Sequence, residues 1–134
     1  MHRCTVAEIL VIDDHPGDRY IIAEALTGAG HQVRQANDGV EGLALYRKHL
    51  PALVVTDIVM ASKDGIETIR ELRQIAPNIP ILAVSGTEHA ALYLNAVTLL
   101  GADAVLAKPF SFDQLIGAVR DVLTSRSGRD DLAC

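Results

Sequence analysis

Four short apolar runs in this chain each stop at a residue able to do chemistry. Ile9–Ile12 stops at Asp13-Asp14, Leu53–Thr56 at Asp57, Ile81–Val84 at Ser85-Gly86-Thr87, and Ala104–Ala107 at Lys108-Pro109. Three carboxylates brought together repel one another, and burying unpaired charge is costly. A hard divalent cation relieves that repulsion, and Mg²⁺ takes a few carboxylates together with water and phosphate oxygens. One carboxylate of such a set can attack phosphorus and become an aspartyl phosphate. Lys108 offers a point charge to a carboxylate or a phosphoryl oxygen, and Ser85 offers that oxygen a hydrogen bond. Taken singly, each residue has a plainer reading. Asp at a strand end is commonly a turn former or helix cap, and Asp13-Asp14 ahead of His15-Pro16 suits capping. A lone Lys108 reads as a solvated charge and a lone Ser85 as a turn residue. Their joint placement at four strand ends is what favours a site.

The elements that must position these residues alternate along the chain. Each apolar run reads as a buried strand, and Val33–Ala36 as a weaker one. Residues 17–29 have helical spacing through Tyr20, Ile21, Ala25 and Leu26, ended by Gly28 and Gly30. Asn37-Asp38-Gly39 turns into a second helix with Val40, Leu43 and Ala44 on one face. Ile66, Ile69, Leu72 and Ile75 mark a third, residues 88–100 a fourth, and a last follows Ser111 with Phe112, Leu115, Ile116, Val119, Val122 and Leu123 facing inward. Five strand–helix repeats with apolar strands imply an α/β fold, a parallel sheet covered on both faces. Ligands of such sheets bind outside the carboxyl ends of the strands, where the acids, Ser85 and Lys108 fall. The periodicity predicts alternation but not strand order.

Bulk properties narrow the function. The 134 residues fit one domain; residues 1–124 are expected to fold and 125–134 to form a polar tail, with no output domain expected. Hydrophobic residues make up 49 % but aromatic ones only 4 %, so Val, Ile, Leu and Ala must build the core. A net charge of −5 argues against direct nucleic-acid binding, which needs a basic face. No apolar run approaches a membrane span, and the amino terminus lacks a signal-peptide pattern. A cytoplasmic protein is expected, with Cys4 and Cys134 as incidental thiols.

These residues resemble the receiver domain of bacterial two-component response regulators, of the chemotaxis-regulator type. The matching pieces are Ile9–Asp14, Val55–Met60 followed by Asp64-Gly65, Ala83–Gly86, and Gly101–Asp103 leading to Lys108-Pro109-Phe110. The resemblance implies a doubly wound, flavodoxin-like (βα)₅ sheet of order 2-1-3-4-5. It implies Asp57 as phosphoacceptor, Ser85 as the switch hydroxyl, and Lys108 pairing with Asp57 and then with the phosphoryl group. Mg²⁺ would be held by Asp14 directly, Asp13 through water, Asp57, and the backbone carbonyl of Val59. The Lys108–Pro109 peptide would be cis. Implied partners are a sensor histidine kinase or phosphotransfer protein, and a downstream protein or second copy at the 88–123 face, where Tyr93, Leu94 and Val97 are candidates. Val105 stands where the family usually has an aromatic residue, and Ala61 where it usually has proline.

The chain would then be a switch that assists only its own phosphorylation and dephosphorylation, not an enzyme with a separate substrate. The alternative is a receiver-like scaffold that works without phosphorylation, against which the full set of Asp13, Asp14, Asp57, Ser85 and Lys108 argues. A phosphatase with an Asp nucleophile commonly carries a second acid two residues on, but Val59 follows Asp57 there and His15 follows Asp13. A flavodoxin-like cofactor binder would want a Gly-rich loop after the first strand, which is missing.

Overall fold

The computed structural model describes residues 6–58, 65–86 and 101–127. Along them run β1 (Glu8–Ile12), α1 (Pro16–Gly28), β2 (Gln32–Ala36), α2 (Gly39–His49), β3 (Leu53–Asp57), α3 (Gly65–Ile75), β4 (Ile81–Gly86), β5 (Ala104–Lys108) and α4 (Phe112–Ser127). All strand pairs are parallel, in the order β2-β1-β3-β4-β5. The expected doubly wound, flavodoxin-like α/β sheet of order 2-1-3-4-5 is therefore present. The helix expected over 88–100, with Tyr93, Leu94 and Val97, lies outside the described residues, as do Val59, Ala61 and both cysteines. The last helix runs to Ser127, past residue 124 where the folded part was expected to end.

Period-two alternation divides the strands' side chains between two cores. Leu10, Ile12, Val54, Ile81 and Ala83 face α2 and α3, meeting Leu43, Ile69 and Leu72. Ile9, Val11, Val55, Leu82 and Val84 face α1 and α4, meeting Ile22, Leu26, Leu115 and Val119. Because both faces are covered, the central strands are apolar along most of their length, which is why they read so clearly in the sequence. Val105 packs half-buried against the first of these cores.

The helix faces differ from expectation in several places. Tyr20 and Ile21 are exposed, and the inward stripe of α1 passes through Ile22, Ala23, Ala25 and Leu26. On α2, Val40 is 62 % exposed and Ala44 is exposed too, while Gly42 is buried with Leu43. The cause is local: the Ile12 side chain fills the space that a Cβ on Gly42 would need, so the helix approaches β1 through its glycine. Phe112 (55 % exposed) and Ile75 face outward, and Ile116 and Leu123 are only partly covered. Ser111 does cap α4: its Oγ accepts from Gln114 N at 3.0 Å, and its own N–H donates to Gln114 Oε1 at 2.8 Å.

One cation ties the amino-terminal ends of β4 and β5 to α3. Arg73 donates to the carbonyls of Gly101 (2.6 Å from Nη2), Ile79 (2.6 Å) and Ala76 (3.3 Å), and lies 3.1 Å from Asp103 Oδ2. Asp103 in turn accepts from Ile81 N at 2.8 Å.

Candidate phosphoryl-acceptor site

The strand order reverses direction at β1, which sends β2 to one side and β3 to the other. A crevice opens there at the carboxyl ends of β1 and β3. Asp13 and Asp14 follow β1 directly, and Asp57 is the last residue of β3. Asp13 is almost wholly buried, Asp14 half-buried and Asp57 buried. One carboxylate oxygen from each of the three lies within 4.8 Å of the others.

The backbone fixes these acids from several sides. Asp13 N–H continues the β1–β2 ladder to Ala36 O at 3.1 Å. Its carboxylate accepts from His15 N at 2.9 Å, and its carbonyl from Arg19 Nη1 at 2.8 Å. Capping of α1 therefore falls to His15, whose Nδ1 accepts from Asp18 N at 3.4 Å, and not to the acids. Asp57 Oδ1 accepts from Ile58 N at 3.0 Å. Gly65 N donates to Ile58 O at 2.7 Å, bringing α3 so near Asp57 that a Cβ on Gly65 would strike the Asp57 carbonyl.

Lys108, at the end of β5, reaches into the cluster. Its Nζ is 3.4 Å from Asp13 Oδ2 and 3.8 Å from Asp57 Oδ2. Ser85 is fully buried at the end of β4, and its Oγ donates to Gly86 O at 3.3 Å. The Lys108–Pro109 peptide is cis, as expected. The structure thus gathers Asp13, Asp14 and Asp57 with Lys108, and sets Ser85 on the neighbouring strand end.

Electrostatics mark Asp57 out. Burial, reinforced by the charge of Asp13, pushes its carboxyl up to about 6, against the opposing pull of Lys108 and the Ile58 N–H. Burial also raises Asp13, countered by the His15 N–H and Lys108. Burial pulls the Lys108 ammonium down, but its hydrogen bond to Asp18 and the charges of Asp57 and Asp13 outweigh that and raise it. Two buried acids that resist ionisation in this way, Asp13 and Asp57, fit a divalent cation, whose charge would offset their repulsion.

One residue at the site escaped the sequence reading. Asp18 Oδ2 lies 2.8 Å from Lys108 Nζ, closer than Asp13 or Asp57. No spacing in the sequence marked it, since its partner lies far along the chain. An acid in a helix's first turn also has an ordinary dipole role, and that concealed it.

The geometry is that of a response regulator receiver domain. Residues 9–120 match that family, and the chain belongs to it. Such domains are the phosphorylation-activated modules of two-component signalling. Response regulator MprA of Mycobacterium leprae is 34 % identical over 125 residues, which cover 93 % of this chain and 54 % of MprA. The chain thus spans about half the length of the curated relatives it matches. The receiver domain of NtrX from Brucella abortus superposes with a TM-score of 0.83 at 31 % identity, covering 87 % of this chain and 98 % of that one. The chemotaxis protein CheY4 of Vibrio cholerae gives 0.82 at 28 % identity, with the same coverage. Among the described residues, no helix is long and apolar enough to cross a membrane.

Proposed function

We propose that this receiver domain accepts a phosphoryl group on Asp57, from a phosphohistidine on a sensor kinase or phosphotransfer protein. One observation carries the reading: Asp57 is a buried carboxylate beside both Asp13 and Lys108, with its proton affinity raised. In the transfer, an Asp57 carboxylate oxygen forms a bond to phosphorus while the phosphorus–nitrogen bond breaks. The electron pair stays with the leaving imidazole. Lys108 offers its ammonium to the oxygens of the transferring group, which gather charge. Ser85, on the adjoining strand end, would turn its hydroxyl from Gly86 O towards them. Mg²⁺ would be held by Asp14, by Asp13 through water, and by Asp57, with the Val59 carbonyl completing the protein ligands. When bound, it neutralises charge on carboxylates and phosphoryl oxygens alike. The chain turns over no separate substrate in this reading. It acts in the cytoplasm on a downstream protein partner or a second copy through the 88–123 face.

The test is labelling with acetyl phosphate and Mg²⁺, read by intact mass. Wild type should gain one phosphoryl group and Asp57→Asn none. Asp14→Ala should lose the Mg²⁺ dependence. A fully labelled Asp57→Asn protein would overturn the assignment, and an unlabelled wild type would favour a scaffold.

A further inference from the structure

Asp18 has no part in the function proposed above, yet among the described residues it is the carboxylate nearest to Lys108. Its Oδ2 is 2.8 Å from the ammonium, against 3.4 Å for Asp13 and 3.8 Å for Asp57. Its other oxygen lies 3.7 Å from His15 Nδ1. The Lys108 side chain is 21 % exposed and that of Asp18 38 %, so solvent screens the pair only in part. Both residues border a cavity of about 400 Å³ walled by Ile21, Ile22, Pro109 and Phe110, which leaves the lysine stem room to swing.

A lysine is a point charge on a flexible stem and moves readily between acceptors. A phosphoryl group on Asp57 would add acceptor oxygens that compete with Asp18 for the Lys108 ammonium. A closer approach to them draws the ammonium from its shortest contact, that with Asp18. Any group that binds one state of a switch better than the other shifts the balance by that difference. We propose that Asp18 is a positioning residue that competes with Asp57 for the Lys108 ammonium, a latch that weights the switch towards its unphosphorylated state. The inference rests on Asp57 being the phosphoacceptor.

The experiment measures the affinity of the Mg²⁺-loaded protein for beryllium trifluoride, a phosphoryl mimic, by titration followed through amide chemical shifts. Asp18→Asn should bind about two- to fivefold more tightly than wild type, the scale of one partly exposed ion pair. Asp18→Glu, which keeps the charge, should stay near wild type. Glu24→Gln, which removes an exposed acid from the same helix, should also leave the affinity unchanged. In a Lys108→Ala background, adding Asp18→Asn should change little, because the latch has lost its partner. Equal or weaker binding by Asp18→Asn would overturn the latch, and so would an equal gain in Glu24→Gln. A gain that persists without Lys108 would reduce the effect to charge repulsion and also overturn it. A wild type that takes up no mimic would defeat the phosphoacceptor reading itself, whereas normal uptake by both wild type and Asp18→Asn would remove the latch alone.

Discussion

Asp57 stores a cost that depends on pH. Its folded-state carboxyl lies at about 6, raised by burial first and Asp13 second, while a carboxyl in the unfolded chain titrates near 4. Between those values the folded protein holds a proton that the unfolded chain has released. Stability associated with this group is therefore intact below about pH 4 and is lost as pH rises through about 6. In metal-free buffer, Asp57→Asn should melt at a higher temperature than wild type at pH 7.5, and the gap should close towards pH 4. Added Mg²⁺ should narrow the gap at pH 7.5 by stabilising wild type alone. Identical melting curves for the two proteins at every pH would contradict the electrostatic account. At this scale the sequence was informative where residue type and strand end coincided, as at Asp13, Asp14, Asp57 and Lys108. It was silent on Asp18, because nothing local separates a helix-start acid from one aimed at a lysine ninety residues away.

Among the described elements, the junction of β3 and α3 tolerates little change. Gly65 is buried, and a Cβ there would meet the Asp57 carbonyl and come within 2.6 Å of Ile58 Cα. Backbone cannot step aside as a side chain can, so Gly65→Ala should destabilise the fold by about 1–3 kcal/mol, the usual cost of overpacking. It should also displace Asp57, and so slow labelling of the fraction that still folds. Chemical denaturation and acetyl phosphate labelling of the same sample check both parts; an unperturbed labelling rate would show that the displacement does not reach the carboxylate. Strands were easier to read than helix faces for a related reason. A buried parallel strand is apolar throughout, so its phase does not matter. The inner face of α1 relies on Ala23 and Ala25, and that of α2 on Gly42, while larger Tyr20, Ile21 and Val40 point outward. Where close approach calls for small residues, size misleads about direction.

Across the whole molecule, alternation of strand and helix announced the α/β class, and the resemblance supplied the order of the strands. Nothing in the periodicity could have done so, because strand order is a matter of which buried runs pair, and these runs are alike in composition. Once folded, the sheet has to keep its two halves in register, and there the Arg73 clamp has a further consequence. Its planar guanidinium serves the carbonyls of α3's end, of Ile79 and of Gly101 together, a fork that a lysine cannot reproduce. Described as a landscape of partial openings, the clamp binds the start of β4 and the start of β5 into one cooperative unit with α3. In Arg73→Lys, that corner should open on its own, ahead of global unfolding. Hydrogen exchange should then quicken at the amides of Ile81 and Asp103, which bond across the corner, while amides in β1 and β3 keep their protection. The corner stands at the start of β5, the strand that ends at Lys108, so the clamp ties the lysine's strand to α3 from its far end.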